Sequence, residues 1–252
     1  MSPKIIAVAG KGGVGKTTIS AAIVRILTQQ HPEKRILAID ADPAVGLSTA
    51  LGIPVVKTLD DIRKDIVTKT ISGETREAVD LLSEARFHVL EAMAENHKFA
   101  FLAIGRPETA GCYCGVNAYL KEVIAALADE FDYVVIDGEA GIEQINRRVM
   151  EKVTHLLLVS DQSQKGISVL RNIRSLSTEL IHPDRAGAVL NRVVNPELNR
   201  YVDLGDIELL ATIAPDEAQL QNDIRGLSVF ELSDDSALLD GVARALKTID
   251  FL

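Results

Sequence analysis

Nine residues near the start of the chain constrain it most: Gly10-Lys11-Gly12-Gly13-Val14-Gly15-Lys16-Thr17-Thr18. They follow an apolar run, Ile5 to Ala9, and open an apolar-periodic run, Ile19 to Leu27. The pattern reads strand, glycine-rich loop, helix, at the spacing G-x-x-x-x-G-K-[ST] of a phosphate-binding P-loop. Glycines let the backbone curl until successive N–H groups face phosphate oxygens. A helix beginning near Lys16 adds the positive end of its dipole. Gly12, Gly13, Val14, Gly15, Lys16, Thr17 and Thr18 are therefore the expected nucleotide cradle. Lys16 is expected on the β- and γ-phosphates, and the Thr17 hydroxyl on Mg²⁺.

Beyond this loop, short β-rich runs alternate with amphipathic helical runs, which predicts a mostly parallel sheet with helices on both faces. Strands are expected at Lys4–Ala9, Arg35–Asp40, Phe99–Ile104, Tyr133–Asp137, His155–Ser160, Arg185–Leu190 and Ile207–Ile213. Helices are expected at Lys16–Gln30, Asn117–Glu130, Glu143–Lys152, Gly166–Ile181, Ala218–Asp223 and Ser236–Ile249. Thr58–Ala94 reads as one or two helices, with a possible short strand at Phe87–Leu90. The expected fold is an α/β P-loop NTPase with a sheet of seven to eight strands, and the 252 residues suit one domain over 1–252.

Other motifs fall where these strands end, which is where ligands sit in such sheets. One strand ends in Asp40-Ala41-Asp42-Pro43, and another, Val134-Val135-Ile136, ends in Asp137. The second has the Walker B pattern, so Asp137 is a candidate Mg²⁺ holder. Gly138-Glu139-Ala140-Gly141 follows as a loop able to change conformation. The only two cysteines lie in Gly111-Cys112-Tyr113-Cys114-Gly115, between a strand and a helix. Thiols one residue apart do not form a relaxed disulfide, but they offer two sulfurs to one soft ion. A four-coordinate Ni²⁺ or Zn²⁺ needs four donors, which a two-fold homodimer would complete.

The second lysine of the loop, Lys11, makes the pattern K-G-G-x-G-K-[ST], which resembles the deviant Walker A ATPases. That family includes MinD, ParA, the nitrogenase iron protein and Mrp-type iron–sulfur carriers. The resemblance implies ATP/ADP and Mg²⁺ as ligands, and a Lys11 that crosses a dimer interface to the partner's phosphates. It implies that Asp42 orients the attacking water and that Asp40 helps hold the Mg²⁺ shell, although Asp42 could equally cap a short helix after Pro43. It further implies a γ-phosphate-reading switch after Asp137. Adenine contacts are implied at Asn191, in the strand end Asn191-Arg192, and at the loop of Pro215 and Asp216. With the C-x-C loop and the Glu139-Ala140-Gly141 switch, the chain resembles the CooC-type branch that helps load nickel into carbon monoxide dehydrogenase.

Composition narrows the partners. A net charge of −9 argues against a general nucleic-acid surface. No run is apolar enough to span a membrane. Met1-Ser2-Pro3-Lys4 leads straight into a strand, so no signal peptide is expected. Reduced cysteines and a cytoplasmic setting follow as the default. The five histidines show no ligand spacing. The last helix gathers Leu238, Leu239, Val242, Ala243, Leu246 and Ile249 on one face, expected to pack on the core. The leading expectation is an ATP-hydrolysing nickel metallochaperone, with carbon monoxide dehydrogenase or a related nickel enzyme as client. A MinD/ParA-like positioning ATPase and an Mrp-like iron–sulfur carrier are the alternatives.

Overall fold

The sheet grows outward from the strand that carries the P-loop. A computed structural model describes residues 2–71, 84–105, 114–138, 142, 145, 149 and 153–252. Strand β1 (Lys4–Gly10) leads through the loop into α1 (Lys16–Gln30), then β2 (Ile36–Asp40) and a short α2 (Gly46–Leu51). Next come α3 (Leu59–Ile71), α4 (Ala85–Ala92), β3 (Ala94–Glu95), β4 (Ala100–Ala103), α5 (Cys114–Ala128) and β5 (Tyr133–Asp137). The remaining elements are β6 (His155–Ser160), α6 (Gln164–Leu180), β7 (Arg185–Leu190), β8 (Glu208–Thr212), α7 (Glu217–Arg225) and α8 (Ala237–Thr248). Short 3₁₀ turns occupy Pro196–Tyr201 and Val229–Glu231.

The eight strands run in the order β3-β4-β2-β5-β1-β6-β7-β8, parallel except for the antiparallel β3–β4 pair. Strand β1 lies between β5 and β6, and the chain winds outward from it in both directions. That reversal leaves an opening at the carboxyl ends of the strands. The inner strands β1, β2, β4, β5 and β6 are covered on both faces, so they read as continuous apolar runs rather than alternating ones. On β1, Ala7 and Ala9 belong to the core beneath α3 to α6, with Ile62, Val89, Ile124 and Leu170. Ile6 and Val8 belong to the core beneath α1, α2 and α8, with Ile23, Leu51 and Val242.

Four expected spans, Lys16–Gln30, Tyr133–Asp137, His155–Ser160 and Arg185–Leu190, coincide with the observed elements. The expected strand at Phe87–Leu90 is corrected: those residues lie inside α4. Ala85, Val89 and Ala92 are buried while Phe87 and Leu90 are exposed, so burial recurs at helical spacing. The extended segment there is β3, only two residues long and further along the chain. Most of the helix expected at Glu143–Lys152 lies outside the described residues. The final helix packs as expected, with Leu238, Leu239, Val242 and Leu246 buried.

Gly10 ends β1 at φ +150°, and a Cβ added there would lie 2.0 Å from the Val159 carbonyl oxygen of β6. The strand-to-loop exit therefore needs the absence of a side chain. Gly10→Ala should destabilise the chain by more than about 2 kcal/mol. An unchanged urea midpoint would show that the junction has room to spare.

Candidate functional site

The loop after β1 folds back over the start of α1. Gly13 and Gly15 adopt φ of +77° and +94°, in the left-handed region that favours glycine. Gly15 caps α1 without a side-chain acceptor, which leaves the first N–H groups of the helix directed at the loop. Lys16 is only 8% exposed, and its ammonium bridges the loop to the Lys11 carbonyl at 3.3 Å. Gly12, Gly13, Gly15, Lys16, Thr17, Asp42 and Arg192 line a pocket of about 460 Å³.

Two carboxylates lie behind this pocket. Asp40 and Asp137 end adjacent strands in direct register. Asp40 is fully buried, and its oxygens accept the backbone N–H groups of Asp42 at 3.0 Å and Leu47 at 2.8 Å. Burial, with Asp137 beside it, pushes the Asp40 carboxyl up to about 7, against the pull of those two N–H groups. Burial pushes Asp137 up to about 6, opposed by the Thr17 and Ser20 hydroxyls and the Lys16 ammonium. Ser20 donates to Asp137 Oδ1 at 2.9 Å, while Oδ2 is buried and has no hydrogen-bond partner. An orphaned carboxylate oxygen beside Thr17 fits a hard, oxygen-binding cation. Asp42 is half-buried, and its Oδ1 accepts the Ala44 N–H at 2.8 Å, so it caps the turn after β2 while also lining the pocket.

A second pocket, of about 530 Å³, shares Arg192 with the first. Thr18, Asn191, Val194, Pro215 and Asp216 line it, together with residues of α7 and α8. Thus Asn191, Arg192, Pro215 and Asp216, separated by many residues in sequence, meet around one cavity beside the cradle. Much of the Asn191 side chain is engaged within the fold. Its amide donates to the Val14 carbonyl at 2.8 Å, and its oxygen accepts the Arg192 N–H at 3.0 Å. Arg192 sits at φ +57° and reaches the Gly13 carbonyl at 3.2 Å. These contacts hold the loop from the β7 side.

Lys11 points away from the cradle within its own chain. Its ammonium pairs with Asp161 at 2.6 Å, just past β6, and lies 3.3 Å from Ser163 Oγ. Partial burial would raise the Asp161 carboxyl, but the bonds from Lys11 and Ser163 outweigh it and hold the carboxyl low. Cys112 lies outside the described residues, as does the switch at Glu139-Ala140-Gly141, and Cys114 begins α5. Among the described residues no group of His, Cys, Asp and Glu side chains clusters as a metal site. Sequence reasoning missed Ser20, Asp161 and the grip of Arg192 on Gly13. Ser20 lies one helical turn beyond Thr17, and Asp161 follows a strand that pairs with β1. Both positions were readable once the sheet order was known.

Comparison with known proteins adds four likenesses. Residues 5–229 match the family model described as the CobQ/CobB/MinD/ParA nucleotide binding domain. An uncharacterized ATP-binding protein of Methanocaldococcus jannaschii is 32% identical over 97% of this chain and 98% of its own. The carbon monoxide dehydrogenase accessory protein CooC of Rhodospirillum rubrum is 29% identical over 90% of each. Among solved structures, the cell division ATPase MinD of Pyrococcus furiosus superposes with a TM-score of 0.69 at 24% identity, over 98% of both chains.

The raised carboxyl of Asp137 sets a pH dependence. Folding lifts it above its unfolded value of 3.8, so its contribution to stability is full below that value and is lost as pH rises through about 6. Asp137→Asn removes the titration. In chelator, the variant should gain on the native chain between about pH 4 and pH 6, by on the order of 3 kcal/mol. A difference in urea midpoint that stays constant across that range would refute the assignment.

Proposed function

The chain belongs to the CobQ/CobB/MinD/ParA nucleotide-binding family, and we propose that within it this protein is a metallochaperone ATPase whose homodimer assists nickel insertion into carbon monoxide dehydrogenase or a related nickel enzyme. The chain is a P-loop ATPase of that family. We assign all of residues 1–252 to that one domain and place the protein in the cytoplasm. Among the described residues no helix is long and apolar enough to cross a membrane.

The cradle lined by Lys16, Thr17 and Asp42 is the observation that carries the hydrolysis scheme. Lys16 and the first N–H groups of α1 bind the β- and γ-phosphates. Thr17 and Asp137 would hold Mg²⁺, with Asp40 beside them. When bound, Mg²⁺ neutralises charge on the phosphate oxygens. Asp42 leaves its turn with Ala44 and orients the attacking water. The water oxygen bonds to the γ-phosphorus as the bond from that phosphorus to the β–γ bridging oxygen breaks, ADP departs with the electron pair, and the water's proton ends on the released phosphate. Lys11 exchanges Asp161 for the phosphates bound by the partner subunit.

For the metal, support comes from two sources: the likeness to CooC, and Cys112 and Cys114, the only cysteines in the sequence. Two sulfurs per chain make half of a four-donor site, and a two-fold axis through the ion completes it. An iron–sulfur carrier would use the same cysteines and would show visible absorbance together with bound sulfide. The likeness in fold to MinD favours a positioning switch instead. Against that reading, the apolar face of α8 is buried in the core and leaves no membrane-binding stripe on that helix.

Asp42→Asn should retain ATP binding and lose most turnover, because the carboxylate acts on water and not on the bound nucleotide. Normal turnover in this variant would reduce Asp42 to a turn cap. Titration with Ni²⁺ or Zn²⁺, followed by analytical ultracentrifugation, should give one ion per two chains and drive dimerisation. Cys112→Ser or Cys114→Ser should remove both effects and spare ATP binding. One ion per chain would rule out a shared site.

A further inference from the structure

Just past β7 the backbone takes an uncommon step. Arg192 adopts φ +57°, a left-handed conformation that costs energy in a residue with a Cβ. Along an extended strand, neighbouring side chains point to opposite faces. The left-handed step breaks that alternation, and Asn191 and Arg192, consecutive in sequence, both turn back to the P-loop. The Asn191 amide donates to the Val14 carbonyl at 2.8 Å, and the Arg192 guanidinium donates to the Gly13 carbonyl at 3.2 Å. The step is itself supported by Asn191, whose side-chain oxygen accepts the Arg192 N–H at 3.0 Å. Strain that neighbouring bonds hold in place concentrates at functional sites.

The two bonds fall on consecutive peptide units of the loop. A peptide is planar and trans, so its carbonyl and the N–H that follows point in opposite directions. A donor that fixes the Gly13 carbonyl therefore fixes the Val14 N–H as well. One that fixes the Val14 carbonyl fixes the Gly15 N–H. Among the described residues neither N–H donates to another backbone carbonyl. The glycines on either side of Val14 turn at φ +77° and +94°, and glycine leaves such angles as readily as it enters them. The loop needs a hold from outside itself. Gly15 makes room for one: a Cβ there would lie 2.7 Å from the Asn191 amide nitrogen.

We infer that Asn191 and Arg192 are positioning residues of the phosphate loop: by holding two consecutive carbonyls toward β7, they aim the Val14 and Gly15 N–H groups into the cradle. This rests on reading the pocket of about 460 Å³ as the phosphate site. Donors that are already aimed bind an anion without the cost of ordering the loop around it. The role differs from the adenine contact that the resemblance implies for Asn191. A ligand with phosphates and no base separates the two.

The test measures Mg²⁺-ATP and Mg²⁺-tripolyphosphate in competition against a fluorescent ATP analogue. Asn191→Ala should weaken both ligands by the same factor, about tenfold, as expected for misdirected hydrogen bonds to a charged group. Arg192→Ala should weaken both by about threefold, because its bond is more exposed. Arg192→Lys should regain the native affinities, since an ammonium can still donate to the Gly13 carbonyl. If Asn191→Ala fails to fold, the two variants at the exposed Arg192 carry the test. Weaker ATP with unchanged tripolyphosphate would overturn the proposal and leave Asn191 as a base contact. An Arg192→Lys no better than Arg192→Ala would overturn it too. So would an Arg192→Ala loss that vanishes in high salt, because salt screens a direct attraction of guanidinium to phosphate. If the native chain binds tripolyphosphate no better than Lys16→Ala does, the reading of the pocket as the phosphate site falls, and the proposal with it.

Discussion

Two buried carboxylates held side by side set the character of this molecule. Asp40 and Asp137 end neighbouring strands in register, 0% and 1% exposed. Each raises the free energy of ionising the other, and burial adds to it. The surrounding structure is arranged to tolerate that. Leu47 and Asp42 turn their N–H groups onto Asp40, which draws the chain after β2 into the tight turn that carries Asp42. Ser20 satisfies one oxygen of Asp137, from the helix that the P-loop begins. The remaining Asp137 oxygen is unmatched. A buried polar atom without a partner is rare enough to need a reason, and a cation between the cradle and these strand ends supplies one. The same pair therefore accounts for a local destabilisation and for the affinity that relieves it.

The second pocket is built on a different principle. The cradle is backbone, fixed by left-handed glycines and by β1 at the centre of the sheet. The second pocket is assembled from segments after β7 and β8, near the edge of the sheet, and side chains hold it together. Asn191 and Arg192 reach back to the Val14 and Gly13 carbonyls, so hydrogen bonds join the walls of the two pockets, beside the packing of Val14 in one core with Ile213 and Leu238. The Asn191 amide has a 2.7 Å approach to the position a Cβ would take on Gly15. Gly15 is thus required twice, for its backbone angle and for its lack of bulk.

How much of this was legible in the sequence depended on the range of the interaction. The P-loop is local: strand, glycines, Lys16-Thr17 and helix are consecutive, so one stretch specified both fold class and phosphate site. Strands covered on both faces are also local signals, and β5, β6 and β7 were found with their observed ends. The run Phe87–Leu90 misled because four apolar-rich residues look alike in a strand and in a helix. Only the burial of Ala85, Val89 and Ala92 against the core separates them. Asp42 and Asp216 were read as site residues, while their capping bonds to Ala44, Gln219, Ser236 and Leu238 needed the coordinates. Ser20 and Asp161 were passed over because a Ser in a helix and an Asp after a strand carry no motif. Their meaning comes from facing Asp137 and Lys11, partners more than 100 residues away in sequence.

In the proposed scheme, Lys11 is one side chain with two partners. Its pair with Asp161 is short, but the two side chains are 27% and 40% exposed. Ion pairs that open to water contribute little, typically about 0–1 kcal/mol. A triphosphate carries several negative charges, and in a closed site the surrounding dielectric is lower, so the same ammonium gains more there than it loses at Asp161. The pair with Asp161 still matters, because it keeps the ammonium extended on the surface beside β6 and out of its own cradle, where Lys16 already sits. In the proposed scheme this outward ammonium, held on a weak, solvent-exposed partner, meets a second subunit's phosphates, and the weakness of the Asp161 contact allows the exchange.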